Sequence, residues 1–204
     1  MPDPCSIVIP QASPAQQPGL FPLLARDLAT ALASISIWAA ADTWYLISGI
    51  GLALAVSMAN AIFAGYVLGA LFHEWGHYLG ARVSRAQTTR IQPTGFSFFR
   101  FNFDFKANDQ RQFHSMSFGG WIMHWALLLL LVLALPFDSL GQVTLVSAVL
   151  GFILFATVIE TGILRQTLTG TDPLEMLKKL TPRHFQQAAF VGTLGGVLLL
   201  AVMS

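Results

Sequence analysis

Hydrophobic and polar positions divide the chain into long apolar runs joined by short polar segments. From Thr43 to Phe72 no side chain is charged, and the run is mostly Leu, Ile, Ala, Val, Gly, Phe and Met. The apolar length from Leu28 to Phe72 is about 45 residues, or ~67 Å as helix, which fits two membrane spans better than one. Asp42-Thr43 can cap a new helix, and Gly49 and Gly51 offer a second break. The pattern predicts a first helix over about 22–46 and a second over about 51–83. Three more apolar spans follow, at about 119–136, 143–164 and 187–203.

Residues 81–118 have a different character. Phe99-Arg100-Phe101-Asn102-Phe103-Asp104-Phe105 alternates strictly, which is the period of a half-buried strand. With Pro93-Thr94-Gly95 as a turn signal, 88–92 and 96–105 read as the arms of a hairpin over about 88–105. Its plain role is an interfacial structural element. Its functional role would be a strand edge that holds an extended peptide by β-augmentation. Residues 1–19 carry five prolines among Ser, Gln and Ala, cannot bury a core, and read as a disordered tail without the basic start of a cleaved secretory signal. The expected architecture is therefore an all-α polytopic membrane protein with a small membrane-associated β-hairpin, built as one transmembrane domain over 20–204.

Composition supports that class. The chain is 54% hydrophobic and 10% charged, with mean hydropathy +0.62, as expected of a protein in contact with a lipid bilayer. A net charge of +1 gives no case for nucleic-acid binding. The lone Cys5 cannot form an internal disulfide. Ten of the eleven Lys and Arg fall in 82–111 and 165–183, so the positive-inside rule places both segments in the cytoplasm and the 137–142 turn outside.

Candidate chemistry then enters at one place. Three ionisable groups end the long uncharged run together, in His73-Glu74-Trp75-Gly76-His77. On a helix, positions i and i+4 share a face, so both imidazoles can reach one metal ion. The carboxylate beside the first His is then placed as the general base toward water, as in zinc peptidases. An HExxH match arises by chance in ordinary helices, and a helix end at the interface could simply turn these groups to water. Each ionisable group near the bilayer centre, however, costs roughly 2.5–3.5 kcal/mol on insertion scales. A cation held by both His offsets that cost. On the predicted topology this end of the helix faces the cytoplasmic side.

A zinc site needs a third protein ligand. Asp172 lies on the same predicted side as His77, although Asp172-Pro173 with Glu175 is also a good helix N-terminus. Glu160 is a lone carboxylate in an apolar span and needs a partner, either the metal or Arg165. His114 and His124 are candidates of lower rank, and His184 reads as a solvated loop residue. A diiron lipid hydroxylase is excluded, because five His in total cannot supply such a centre.

His73-Glu74-Trp75-Gly76-His77 in a membrane helix resembles the HExGH motif of the site-2 protease family of intramembrane zinc metalloproteases. The hairpin matches the family's membrane-associated hairpin. Gly119-Gly120-Trp121-Ile122-Met123-His124 sits where the family has Gly-Pro-x-x-Asn, and no Leu-Asp-Gly third motif is present. The resemblance covers about 60–180 and implies a site-2-protease-like core in a multi-pass protein of the bacterial cytoplasmic membrane. It implies one Zn²⁺ per chain, Glu74 as general base, and a membrane protein or peptide as substrate. Ile159-Glu160-Thr161-Gly162 aligns by position with the third motif, while Asp172 keeps the family's residue type. On that ground His73, His77 and Asp172 are the expected metal ligands, with His124 as a hydrogen-bond donor to the oxyanion. The alternative is a catalytically silent membrane binding or chaperone-like module that retains the fold.

Overall fold

The computed structural model describes residues 17–95 and 97–204. The described residues form six helices and one two-stranded sheet: α1 (Leu20–Ser48), α2 (Gly51–Val83), β1 (Thr88–Ile91), β2 (Arg100–Phe103), α3 (Gln110–Ala134), α4 (Leu140–Leu168), α5 (Pro173–Lys178) and α6 (Pro182–Met203). All but α5 are long and apolar enough to cross a membrane. The tail expected over 1–19 lies, as far as residue 16, outside the described residues.

The break between α1 and α2 falls at Gly49, in the left-handed conformation (φ 64°), and not at Asp42-Thr43. Asp42 is inside α1 and buried. Its Oδ1 accepts hydroxyl protons from Ser57 of α2 and Ser139 before α4, both at 2.7 Å. The third span begins at Gln110, nine residues before the expected 119, because Asp109 and Gln112 close a capping box. α4 starts after a Ser139 cap, and α6 starts with Pro182 in its first turn.

The hairpin forms with shorter arms than its alternation suggests. Thr88 pairs with Phe103 and Ile91 with Arg100, antiparallel. Beyond Arg100 the backbone leaves the ladder, since the N–H of Phe99 donates to Asp27 Oδ2 at 3.3 Å. The Phe face is nonetheless real: Phe99 is fully buried and stacks on Trp75 of α2 with ring centroids 4.3 Å apart.

Two helices form the centre. Half of the apolar stretch of α4 and 39% of that of α2 are buried, against 17% for α1 and α6. Trp38, Ala61, Ala64, Leu68, Leu127, Leu145, Val149 and Ile153 form the main core between α1, α2, α3 and α4. Glycines of α2 set its closest contacts. A methyl at Gly65 would lie 2.7 Å from Ala148 Cβ, and one at Gly69 would lie 2.9 Å from the Phe152 ring, both on α4. One at Gly76 would lie 2.5 Å from the Gly119 carbonyl of α3, and Gly80 meets the Ser115 carbonyl in the same way. Both pairs have GxxxG spacing, which lets helix backbones approach closely in lipid.

Contacts at the helix ends sort the connections onto two faces. Arg90 Nε donates to the Pro18 carbonyl at 2.8 Å, and the Gln110 amide donates to the Thr167 carbonyl, so 17–19, 84–109 and 169–181 share one face. Asp42 with Ser57 and Ser139 marks the other. Arg26, the one cation outside the two basic segments, is in the second turn of α1 at the basic end. Single-cysteine variants in a Cys5→Ser background test the parity. Lys106→Cys and Lys178→Cys should react with an impermeant maleimide from one side and Asp138→Cys from the other. Labelling of Asp138→Cys and Lys178→Cys from the same side would mean that α4 does not cross.

Candidate metal centre

One turn of α2 sends five consecutive side chains to different tasks. His73 and His77 project toward α4. Gly76 touches α3. Trp75 points the other way, where its Nε1–H donates to Asp27 Oδ2 at 3.0 Å. Glu74 is half-buried, and His77, Glu160 and Arg100 are the ionisable groups that face it.

On the α4 side, three potential ligand atoms converge. His73 Nε2 and His77 Nε2 are 3.1 Å apart. Glu160 Oε1 lies 3.2 Å from the first and 2.9 Å from the second. The three side chains are only 13% to 16% exposed. Among the described residues, they are the one group of His, Cys, Asp or Glu placed closely enough to hold a metal ion together. Packing explains why Glu160 arrives here. Gly65 meets Ala148, Gly69 meets Phe152 and His77 meets Glu160, each pair separated by the same 83 positions in sequence. α2 and α4 therefore run in parallel and in constant register, with the glycine contacts two turns above the site.

α3 fixes the imidazole of His77. Its Nδ1 is 2.9 Å from the Met116 carbonyl oxygen, which can only accept, so Nδ1 carries the proton and Nε2 offers a lone pair. Gly120 of α3 makes the room: a methyl there would sit 2.5 Å from His77 Cε1. The Met116 contact is the outer hydrogen bond that metal-ligating histidines ordinarily make. His73 is held instead by ring packing, against His124 (4.4 Å, 11° between planes) and edge-on to Phe152.

The donor set fits a zinc ion. Zinc bonds of ~2.0–2.2 Å place neighbouring ligands of a tetrahedral site ~3.3 Å apart, close to the distances found. Glu160 Oε2 is buried without a hydrogen-bond partner, a costly state for a carboxylate unless a cation meets its charge. Two neutral imidazoles and one carboxylate are a familiar ligand set for zinc with a position left open.

Two expected residues are placed otherwise. Asp172 is the N-cap of α5, its Oδ1 accepting from the N–H of Leu174 at 2.7 Å and of Glu175 at 3.2 Å. It is not part of the convergent group. The Asp-Pro helix start, which competed with the ligand reading, describes it fully. His124 is almost entirely buried, and its Nε2 lies 3.2 Å from the Gly69 carbonyl. That nitrogen must donate, which leaves Nδ1 an acceptor without a partner. Neutral His124 thus has no free N–H for an oxyanion, and its contacts make it a support for His73. His114 bonds Thr167 Oγ1 at 3.0 Å, and His184 closes the capping box of α6.

The chain has no match among protein-family models, curated proteins or solved structures.

Asp27 has no counterpart in the motif reading. It is 3% exposed and joins three elements: Arg26 Nη2 donates to Oδ1 at 2.6 Å, while Trp75 and the Phe99 N–H share Oδ2. It ties α1 and the hairpin to the turn that carries His73 and His77. A polar pair opening an amphipathic helix was its only sequence signal.

Two predictions follow from the packing. Gly69→Ala and Gly76→Ala should each lower stability by about 1–3 kcal/mol, because the new methyl meets a ring or a backbone carbonyl. Gly162→Ala, with nothing within 4 Å, should be neutral or gain up to ~1 kcal/mol. Unfolding in mild detergent measures both, and equal stability of all three variants would contradict the close crossings. Separately, Asp172→Asn should be nearly silent and Asp172→Ala should cost about 0.5–2 kcal/mol, the signature of an N-cap.

Proposed function

We propose that the chain is an intramembrane zinc metalloprotease, related to the site-2 protease family, with His73, His77 and Glu160 as metal ligands and Glu74 as general base. The observation that carries this reading is the convergence of three potential ligand atoms, two of them from one HExxH turn, within 3.2 Å of one another inside the apolar bundle. Zinc bound there would supply Lewis acidity toward a scissile carbonyl and an acidified water.

The chain's own groups do the rest. Glu74 takes a proton from the attacking water and returns it to the leaving amine nitrogen. The Met116 carbonyl holds His77 in the tautomer that leaves its Nε2 free to bind, and packing against His124 and Phe152 holds the His73 ring in place. The apolar walls from α3 and α4 exclude bulk water, which strengthens the charge interactions inside. Peptide bonds of membrane-embedded or membrane-proximal segments are the matching substrates, and on the positive-inside rule the site lies toward the cytoplasmic face.

A second reading, a binding or chaperone-like module without hydrolysis, has one observation in its favour. The donor of His124 is committed to Gly69, so the residue expected to stabilise an oxyanion has no N–H left for that role.

Zinc content and cleavage, measured together, separate the readings. Protein purified in mild detergent without chelators should hold one zinc per chain. His73→Ala, His77→Ala and Glu160→Gln should lose it, since an amide is a poorer ligand than a carboxylate. Glu74→Gln and Asp172→Asn should keep it. Wild type should cleave members of a panel of single-span peptides in liposomes, and Glu74→Gln should cleave none. Zinc without cleavage would establish the second reading, and wild type without any transition metal would remove both the metal site and the enzyme.

A further inference from the structure

A cleft of about 270 Å³ opens at the basic end of the bundle, on the far side of α4 from Glu160. Ile159, Gly162 and Ile163 of α4 form its floor, Met176 and Leu180 its side, and Lys179 with Gln187 of α6 its mouth. Gly162 keeps it open, since a methyl there would meet nothing within 4 Å. Arg183 lines an adjoining depression that shares Gln187 with the cleft. Lys179 and Arg183 have no ion-pair partner among the described residues. The ion pairs found there are Arg26–Asp27, the two His contacts of Glu160, and Lys178–Glu175. The other nearby acid, Asp172, is occupied as a cap.

We propose that this cleft is a binding site for an anionic phospholipid. The apolar slot lies at the membrane-facing end of α4 and α6, where it can take an acyl chain. Unpaired Lys179 stands at its mouth and unpaired Arg183 lines the adjoining depression that shares Gln187 with it, at the level of the connecting segments, where a phosphate diester would sit. Charge complementarity selects the headgroup: a zwitterionic lipid brings its own cation to two that are already there, whereas a singly anionic one neutralises them. Each Lys or Arg near the surface contributes about a fivefold preference for anionic lipid, so two give one to two orders of magnitude. The site shares no residue with the metal centre and stands or falls independently of it.

The test is lipid retention by the full chain. Protein reconstituted in vesicles of equimolar phosphatidylglycerol and phosphatidylcholine is extracted in mild detergent, and the co-purifying lipid is quantified by mass spectrometry. Wild type should be enriched in phosphatidylglycerol, and Lys179→Ala and Arg183→Ala should each lower the enrichment about fivefold. Lys106→Ala, on the same face but in the hairpin segment, should leave it unchanged. Gly162→Leu, which fills the slot without altering charge, should reduce retained lipid of both kinds. Equal amounts of the two lipids on wild type, or loss of enrichment in Lys106→Ala as large as in Lys179→Ala, would overturn the site. Full retention in Gly162→Leu would show that the acyl chain does not use the cleft and would overturn the proposal as well.

Discussion

Everything at the candidate metal centre depends on how closely α2 can be approached by its neighbours. Lipid offers no hydrophobic drive for helix association, so close backbone contact, dispersion and hydrogen bonds must supply it. Gly65 and Gly69 give α4 its seat and Gly76 and Gly80 give α3 its own. Each seat aims one group at His77. The α4 contact carries Glu160 into register with it, and the α3 contact brings the Met116 carbonyl to its Nδ1. The Gly of the HExxH turn is therefore not a conformational device. It is what allows a backbone carbonyl to be a ligand-orienting partner.

The two buried aspartates elsewhere in the bundle are each tied to more than one element. Asp42 joins α1, α2 and α4 at one end, and Asp27 joins α1, α2 and the hairpin at the other. Such carboxylates fix position as well as satisfying charge. The contrast with Glu160 is informative. Its Oε2 has no hydrogen-bond partner, while Oε1 sits between the Nε2 atoms of two imidazoles. An unpartnered oxygen on a buried carboxylate is costly in a purely structural tie, and it is the arrangement a candidate cation site would show.

Spans, hairpin and the HExxH turn were legible because each rests on a local pattern: an apolar run, a period of two, or a spacing of four. Helix starts at Gln110 and Leu140 were missed because caps at Asp109 and Ser139 extend helices past their apolar stretches. The third carboxylate was the difficult inference. A lone Glu in an apolar span was a sound physical signal for Glu160, but matching residue type to a family motif favoured Asp172. The deciding quantity, the register between α2 and α4, is a tertiary property. Gly65 and Gly69 announce a close contact without naming the helix that makes it.

That register also sets one aromatic ring of α4 against the whole candidate site. With α2 and α4 parallel and their contact set two turns above the site, the Cα atoms at 77 and 160 are separated by whatever interaxial distance the Phe152 ring imposes at Gly69. The same ring lies edge-on to His73 and His124, so it sets the spacing and confines the imidazoles at once. Wall and glycine seat are thus coupled, because the ring that meets Gly69 also lines both imidazoles.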